Sequence, residues 1–169
     1  ITNTGLVKSD HPPQEQPFQI LVENNWKDWT TFFTDGSKTP NSLAVGAAFY
    51  SPGLSTIYKF KLPAPTSIFS AEAYAIFESL KFIHHTTKAQ NFVIFSDSLS
   101  VLQNISSFPF KHPPISLILR IKSLLYNITH SGKNVALVWI PGHSGIIGNE
   151  MVDGFAREAI LNGIPGLPT

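Results

Sequence analysis

Two short apolar runs constrain this chain most, NFVIFS at 91–96 and NVALVWI at 134–140. An apolar stretch that short, with no polar alternation, has the profile of a strand buried on both faces, as in a parallel sheet. Parallel neighbours need a crossover between them, and the sequence supplies a helical pattern ahead of each run. Before the first, Phe69, Ala73, Ile76, Phe77, Leu80 and Ile83 recur at helical spacing, behind Ser67 or Ser70 as N-cap. Before the second, Ile118, Ile121, Leu125 and Ile128 share one face of a helix over 115–130, which Ser131-Gly132 ends. A shorter helix over 98–104 lies between them, broken by Phe108-Pro109 and again by Pro113-Pro114.

Nearer the N-terminus the texture is that of antiparallel strands. Residues 29–33 (WTTFF) are β-branched and aromatic, and the run stops at Asp35-Gly36-Ser37, a turn signal. Residues 43–50 form a second strand in which Gly46 and Ala47 are too small for a surface choice; 56–62 alternate apolar with polar and form a third. After the last apolar run come a loop over 141–148 and a helix over 149–161. The order β-β-β-α-β-α-α-β-α is mixed α/β: a five-stranded mixed sheet, three antiparallel strands then two parallel, flanked by helices. Residues 1–24, rich in Pro, Gln and Asn, show neither period and read as a leader or linker. Residues 25–162 read as one domain and 163–169 as a tail.

Composition narrows the class. A chain of 169 residues, 43% hydrophobic and 14% charged, buries a core and is not disordered. The absence of cysteine excludes a disulfide framework, a thiolate nucleophile and cysteine-based zinc sites, and fits a reducing compartment. No apolar run reaches the roughly 18 residues that span a bilayer. The opening residues ITNTGLVKSD lack the features of a signal peptide. The expected location is therefore intracellular, cytoplasm or nucleus, with no membrane. With no initiator Met, the expectation is a fragment of something longer. A net charge of +1 argues against a strong free-standing nucleic-acid binder, because phosphate neutralisation supplies much of such affinity. A nuclease core lined with carboxylates, or one held to its substrate by a larger protein, escapes that objection.

Four of the eleven acids occupy related positions. Asp35 ends the first strand and Asp97 the fourth, so neighbouring strands would deliver both to one sheet edge. Glu72 lies in the first turn of a helix, and Asp153 in the first turn or two of the last one. Carboxylates converging at buried strand ends repel one another and require a shared proton or a metal. Hard oxygen ligands suit Mg²⁺ or Mn²⁺, and two such ions suit in-line phosphodiester hydrolysis. Each acid taken alone serves as readily to form a turn or cap a helix.

The segments TDGS (34–37), SAEAYAI (70–76), SDS (96–98) and WIPGHSGIIGNEMVDGFAREA (139–159) resemble the motif series of type 1 ribonuclease H. The last is most similar to the domain carried by reverse transcriptases of non-LTR (LINE-like) retrotransposons. The resemblance implies an endoribonuclease that cuts the RNA strand of RNA–DNA hybrids using two Mg²⁺ ions, with Mn²⁺ as the alternative. It implies that Asp35 bridges both ions, Glu72 and Asp97 hold the one on the leaving-group side, and Asp153 holds the one that orients the attacking water. It gives Glu72 a contact to a ribose 2′-hydroxyl, the group that tells RNA from DNA. His143 then matches the loop histidine that assists proton traffic or product release; Gly142, Gly145 and Gly148 suit a mobile loop, and imidazoles titrate near neutrality. Gly36, Ser37, Ser67 (or Thr66) and Asn149 are the candidate substrate contacts, Ser67 through a helix N-terminus that holds a DNA phosphate.

The residues also admit plainer roles. His143 alone is an exposed loop histidine, and His11, His84, His85, His112 and His130 read as surface. Trp139 and Phe155 read as core, and Asn149 and Glu150 as N-cap and first-turn acid. Three departures from the family stand out. Leu99 occupies a position that is often polar in bacterial relatives, and Gly154 sits inside a helix. The stretch SSFPFKHPP carries Lys111 as its sole formal cation, where strong hybrid binders often place a basic helix. Weak binding by the isolated domain, with a monomer as the default state, is the expectation, and a covalently linked reverse transcriptase supplies the effective concentration. Three other readings stay open: a catalytically silent hybrid-binding module, a transposase or integrase on the same fold, and an interaction domain without metal.

Overall fold

The two apolar runs lie side by side in a seven-stranded sheet in the computed structural model, which describes residues 6–7, 18–41, 44–107 and 116–166. In chain order the elements are β1 (Leu6–Val7), α1 (Phe18–Trp26), β2 (Thr30–Lys38), β3 (Ala44–Ser51), β4 (Thr56–Pro63), α2 (Ile68–His85), β5 (Asn91–Ser96), α3 (Leu99–Ser106), α4 (Ser116–His130), β6 (Asn134–Trp139), α5 (Ile147–Asn162) and β7 (Ile164–Pro165). The spatial order is β1-β6-β5-β2-β3-β4-β7. Strands β2, β3 and β4 form the expected antiparallel meander, and β5 and β6 add to β2 in parallel.

The expected five strands are thus the body of the sheet, and two two-residue strands correct the count. β1 pairs parallel to β6 and β7 parallel to β4, each covering an otherwise open edge. Segments this short carry no readable alternation, so only the edge they cover defines them. The second correction concerns β2, which continues through Asp35-Gly36-Ser37 instead of turning there: Asp35 pairs with Ala48 and Lys38 with Val45. Gly36 is needed for packing, not for a turn. A Cβ on it would stand 2.8 Å from the backbone nitrogen of Glu72.

Residues 18–24, part of the stretch read as leader, belong to helix α1. Trp26 is buried, and Phe18, Leu21 and Val22 pack against the same core. The Phe18 and Trp26 rings meet the Phe95 ring edge-on at 4.9 and 5.7 Å. Of the tail, Ile164 and Pro165 form β7 and the Gly166 N–H donates to the Lys61 carbonyl at 2.9 Å. The Pro-rich breaks at 108–114, and the ends of the expected elements at Leu43 and Ile115, lie outside the described residues.

The sheet separates two cores. One face carries Phe32, Phe49, Phe92 and Ile94 against α2, α3 and α4; the other carries Phe33, Val93, Phe95 and Val138 against α1 and α5. Gly46 explains how α5 lies so close to the sheet, since a Cβ there would collide with the carbonyl oxygen of Ala156. Helix α2 ends on a buried cation: Lys133 Nζ donates to the carbonyls of Ile83, His84 and Thr86 at 2.7, 2.9 and 2.6 Å. Those carbonyls are the orphan acceptors and negative pole of the helix, so the ammonium both satisfies and complements them. Among the described residues no helix is long and apolar enough to cross a membrane.

Candidate active site

Register alone places the first two carboxylates together. β2 and β5 run parallel with Thr34 opposite Ser96, so Asp35 and Asp97 each follow a paired position by one residue. Glu72 arrives from the other direction. The close approach of Gly36 to α2 brings it in, and it lies one turn into that helix rather than in the first turn. One carboxylate oxygen from each of Asp35, Glu72 and Asp97 lies within 4.8 Å of the others.

This proximity is electrostatically costly. Asp35 is 5% exposed and Glu72 8%. Burial first, then the Asp97 charge, pushes the Asp35 carboxyl up to about 7, although the Gly36 N–H donates to Asp35 Oδ1 at 2.9 Å. Burial, then Asp35, then Asp97, pushes Glu72 up to about 10. Without a cation the pair therefore retains a proton at neutral pH, with Glu72 as its holder. Glu72 Oε2 is buried with no hydrogen-bond partner. A compact, desolvated set of hard oxygen donors with an orphan oxygen fits a divalent cation.

Asp97 is held from three sides. Trp139 Nε1 donates to its carbonyl at 3.2 Å, Asn149 Nδ2 donates to Oδ2 at 3.4 Å, and a Cβ on Gly142 would lie 3.0 Å from Oδ2. The WIPGH stretch thus turns directly over the third acid. Trp139, expected as core, packs against the core and also binds the backbone of Asp97. Asn149 is not the N-cap of α5. Ile146 holds that position without a side-chain cap, while Asn149 is 3% exposed with Oδ1 buried and unpartnered.

The other expected residues sit around this cluster. His143 is exposed on the loop, with a left-handed backbone at φ 52°. Of the three loop glycines, only Gly145 (φ 80°) has open space about it; Gly142 faces Asp97, and a Cβ on Gly148 would collide with the Phe33 ring. Ser37 is half-buried on β2, opposite Gly46. Ser67 caps α2, its Oγ accepting from the Ser70 N–H at 3.0 Å, while Thr66 is buried. Leu99 is exposed beside Asp97, and His84, read as surface, is half-buried.

Asp153 stands apart from the group of three. It lies in the second turn of α5 and forms an ion pair with Arg157 one turn later, on a side chain that keeps 20% of its exposure. The Arg157 charge also lowers the Asp35 carboxyl, as the smallest of the influences on it. Sequence reasoning passed over Arg157, although its i,i+4 spacing from Asp153 was a legible signal.

Comparison with curated proteins finds no match, whereas the family model described as RNase H matches residues 27–161. That span takes in all three clustered acids, the loop of His143, and Asp153 with Arg157. The chain accordingly belongs to the ribonuclease H family, divalent-metal-dependent hydrolases that bind RNA–DNA hybrids and cut the RNA strand.

Proposed function

We propose that this domain cuts hybrid RNA by two-metal-ion catalysis, with Asp35, Glu72, Asp97 and Asp153 as ligands and Mg²⁺ as the ion, Mn²⁺ substituting for it. The observation that carries the reading is the convergence of three carboxylates, two of them buried, with a Glu72 oxygen left unpartnered. When bound, the ions supply a polarised water and neutralise the leaving oxygen of an in-line displacement. The protein's own part is preorganisation. β2 and α2 carry Asp35 and Glu72, Asp97 directly follows β5, and Trp139 and Asn149 orient Asp97.

His143, exposed on its loop against Asp97, assists proton movement or product departure. Ser37 and Asn149 face the strand being cut, Gly36 keeps the backbone low beside it, and Ser67 marks the α2 N-terminus, whose free amides suit a DNA phosphate. The chain is part of a retrotransposon reverse transcriptase acting inside the cell, monomeric as an isolated domain. The motif series supports that assignment, and so does a net charge of +1, which leaves hybrid affinity to a tethered polymerase.

The test offers labelled RNA–DNA hybrid, double-stranded RNA and double-stranded DNA, each with Mg²⁺ or EDTA. Cleavage of hybrid RNA alone, abolished by EDTA and by Asp35→Asn, is the expected result. Cutting of DNA, or cutting that survives EDTA, refutes the reading.

A further inference from the structure

Arg157 grips both carboxylate oxygens of Asp153: Nε donates to Oδ1 at 3.4 Å and Nη2 donates to Oδ2. A planar guanidinium matches a carboxylate in this two-pronged way, where a lysine ammonium would act as a point charge. Asp153 lies outside the trio whose oxygens come within 4.8 Å of one another, so its oxygens are turned to the guanidinium. A divalent ion approaching Asp153 must therefore compete with Arg157 for the same two atoms. The pair is not buried, with Arg157 keeping 60% of its side-chain exposure, so it separates at little cost.

We infer that Arg157 is a positioning residue that parks Asp153 in an ion pair and sets the divalent-ion concentration at which this carboxylate joins the cluster. The inference rests on the reading of Asp153 as a metal ligand. By occupying both oxygens of the fourth acid, the guanidinium weakens metal binding there.

The experiment is a calorimetric titration of Mn²⁺ into the full chain, for wild type, Arg157→Ala, Arg157→Lys and Asp153→Asn. Arg157→Ala is expected to lower the half-saturating Mn²⁺ concentration about two- to fivefold, the range set by an exposed ion pair, with Arg157→Lys in between. Its thermal midpoint in EDTA should fall at the same time. A midpoint that falls while the titration stays unchanged, as a purely structural ion pair predicts, overturns the inference; so does weaker Mn²⁺ binding. Asp153→Asn separates the two levels. If it leaves the titration unaltered, Asp153 is not a ligand and the underlying reading fails; if it weakens binding while Arg157→Ala does nothing, only the role of Arg157 fails.

Discussion

The two walls of the proposed site differ in how they hold their acids. On one wall Asp35 and Glu72 are buried where β2 and α2 touch, so close that Gly36 admits no side chain between them. On the other, Asp153 lies on the partly exposed flank of α5, paired with Arg157, and His143 stands on an exposed loop with a left-handed backbone. The first wall is fixed by packing and carries unfavourable electrostatics; the second is solvated and satisfied. A site whose strained half is rigid and whose relaxed half is adaptable keeps ligand geometry while leaving room for substrate and ion to enter.

The contrast breaks most visibly if the rigid wall is forced apart. Gly36→Val puts carbon into a gap bounded by the backbone of Ala71 and Glu72, so α2 must shift and Glu72 with it. Overpacking of this kind costs about 1–3 kcal/mol, and the variant should unfold earlier in denaturant and lose hybrid cleavage. Retained cleavage at wild-type rate would show that the contact does not position Glu72.

A second test reads the electrostatics. In EDTA the native state keeps protons on Asp35 up to about 7 and on Glu72 up to about 10, whereas the unfolded chain releases them near the ordinary values of 3.8 and 4.5. The native state therefore binds more protons than the unfolded state over that window, and stability must fall as pH rises from about 4 through 7, and further towards 10. Thermal midpoints across pH 5–8.5, an interval of about neutral conditions, should decline in EDTA and decline much less with Mg²⁺. Asp35→Asn should flatten the metal-free curve. A metal-free stability that climbs with pH would contradict the buried, proton-retaining pair.

The smallest effect belongs to the relaxed wall. Gly154 follows Asp153 inside α5, and a Cβ there meets nothing within 4 Å. Gly154→Ala should raise stability by about 1 kcal/mol through the helix propensity it restores. Circular dichroism on thermal unfolding measures it, and an unchanged or lower midpoint would mean that α5 uses this glycine for something other than folding.

Local pattern made most elements legible. Apolar runs marked β5 and β6, helical spacing marked α2 and α4, and of the two candidate caps for α2, Ser67 and Ser70, the structure uses Ser67. Asp35-Gly36-Ser37 was misleading because glycine is equally at home in turns and in close packing, and only α2 decides which. Helix α1 was hidden because it spans only nine residues and its packing depends on Phe95, far along the chain.

By itself the sequence determined the element types and the acids fit to hold a metal, since hydrophobic period and side-chain chemistry are local properties. Tertiary structure decided the rest: that three acids meet, that Asn149 faces Asp97, and that Asp153 turns to Arg157. Distance and desolvation depend on which strands become neighbours and in what register, and no local stretch of chain carries that information.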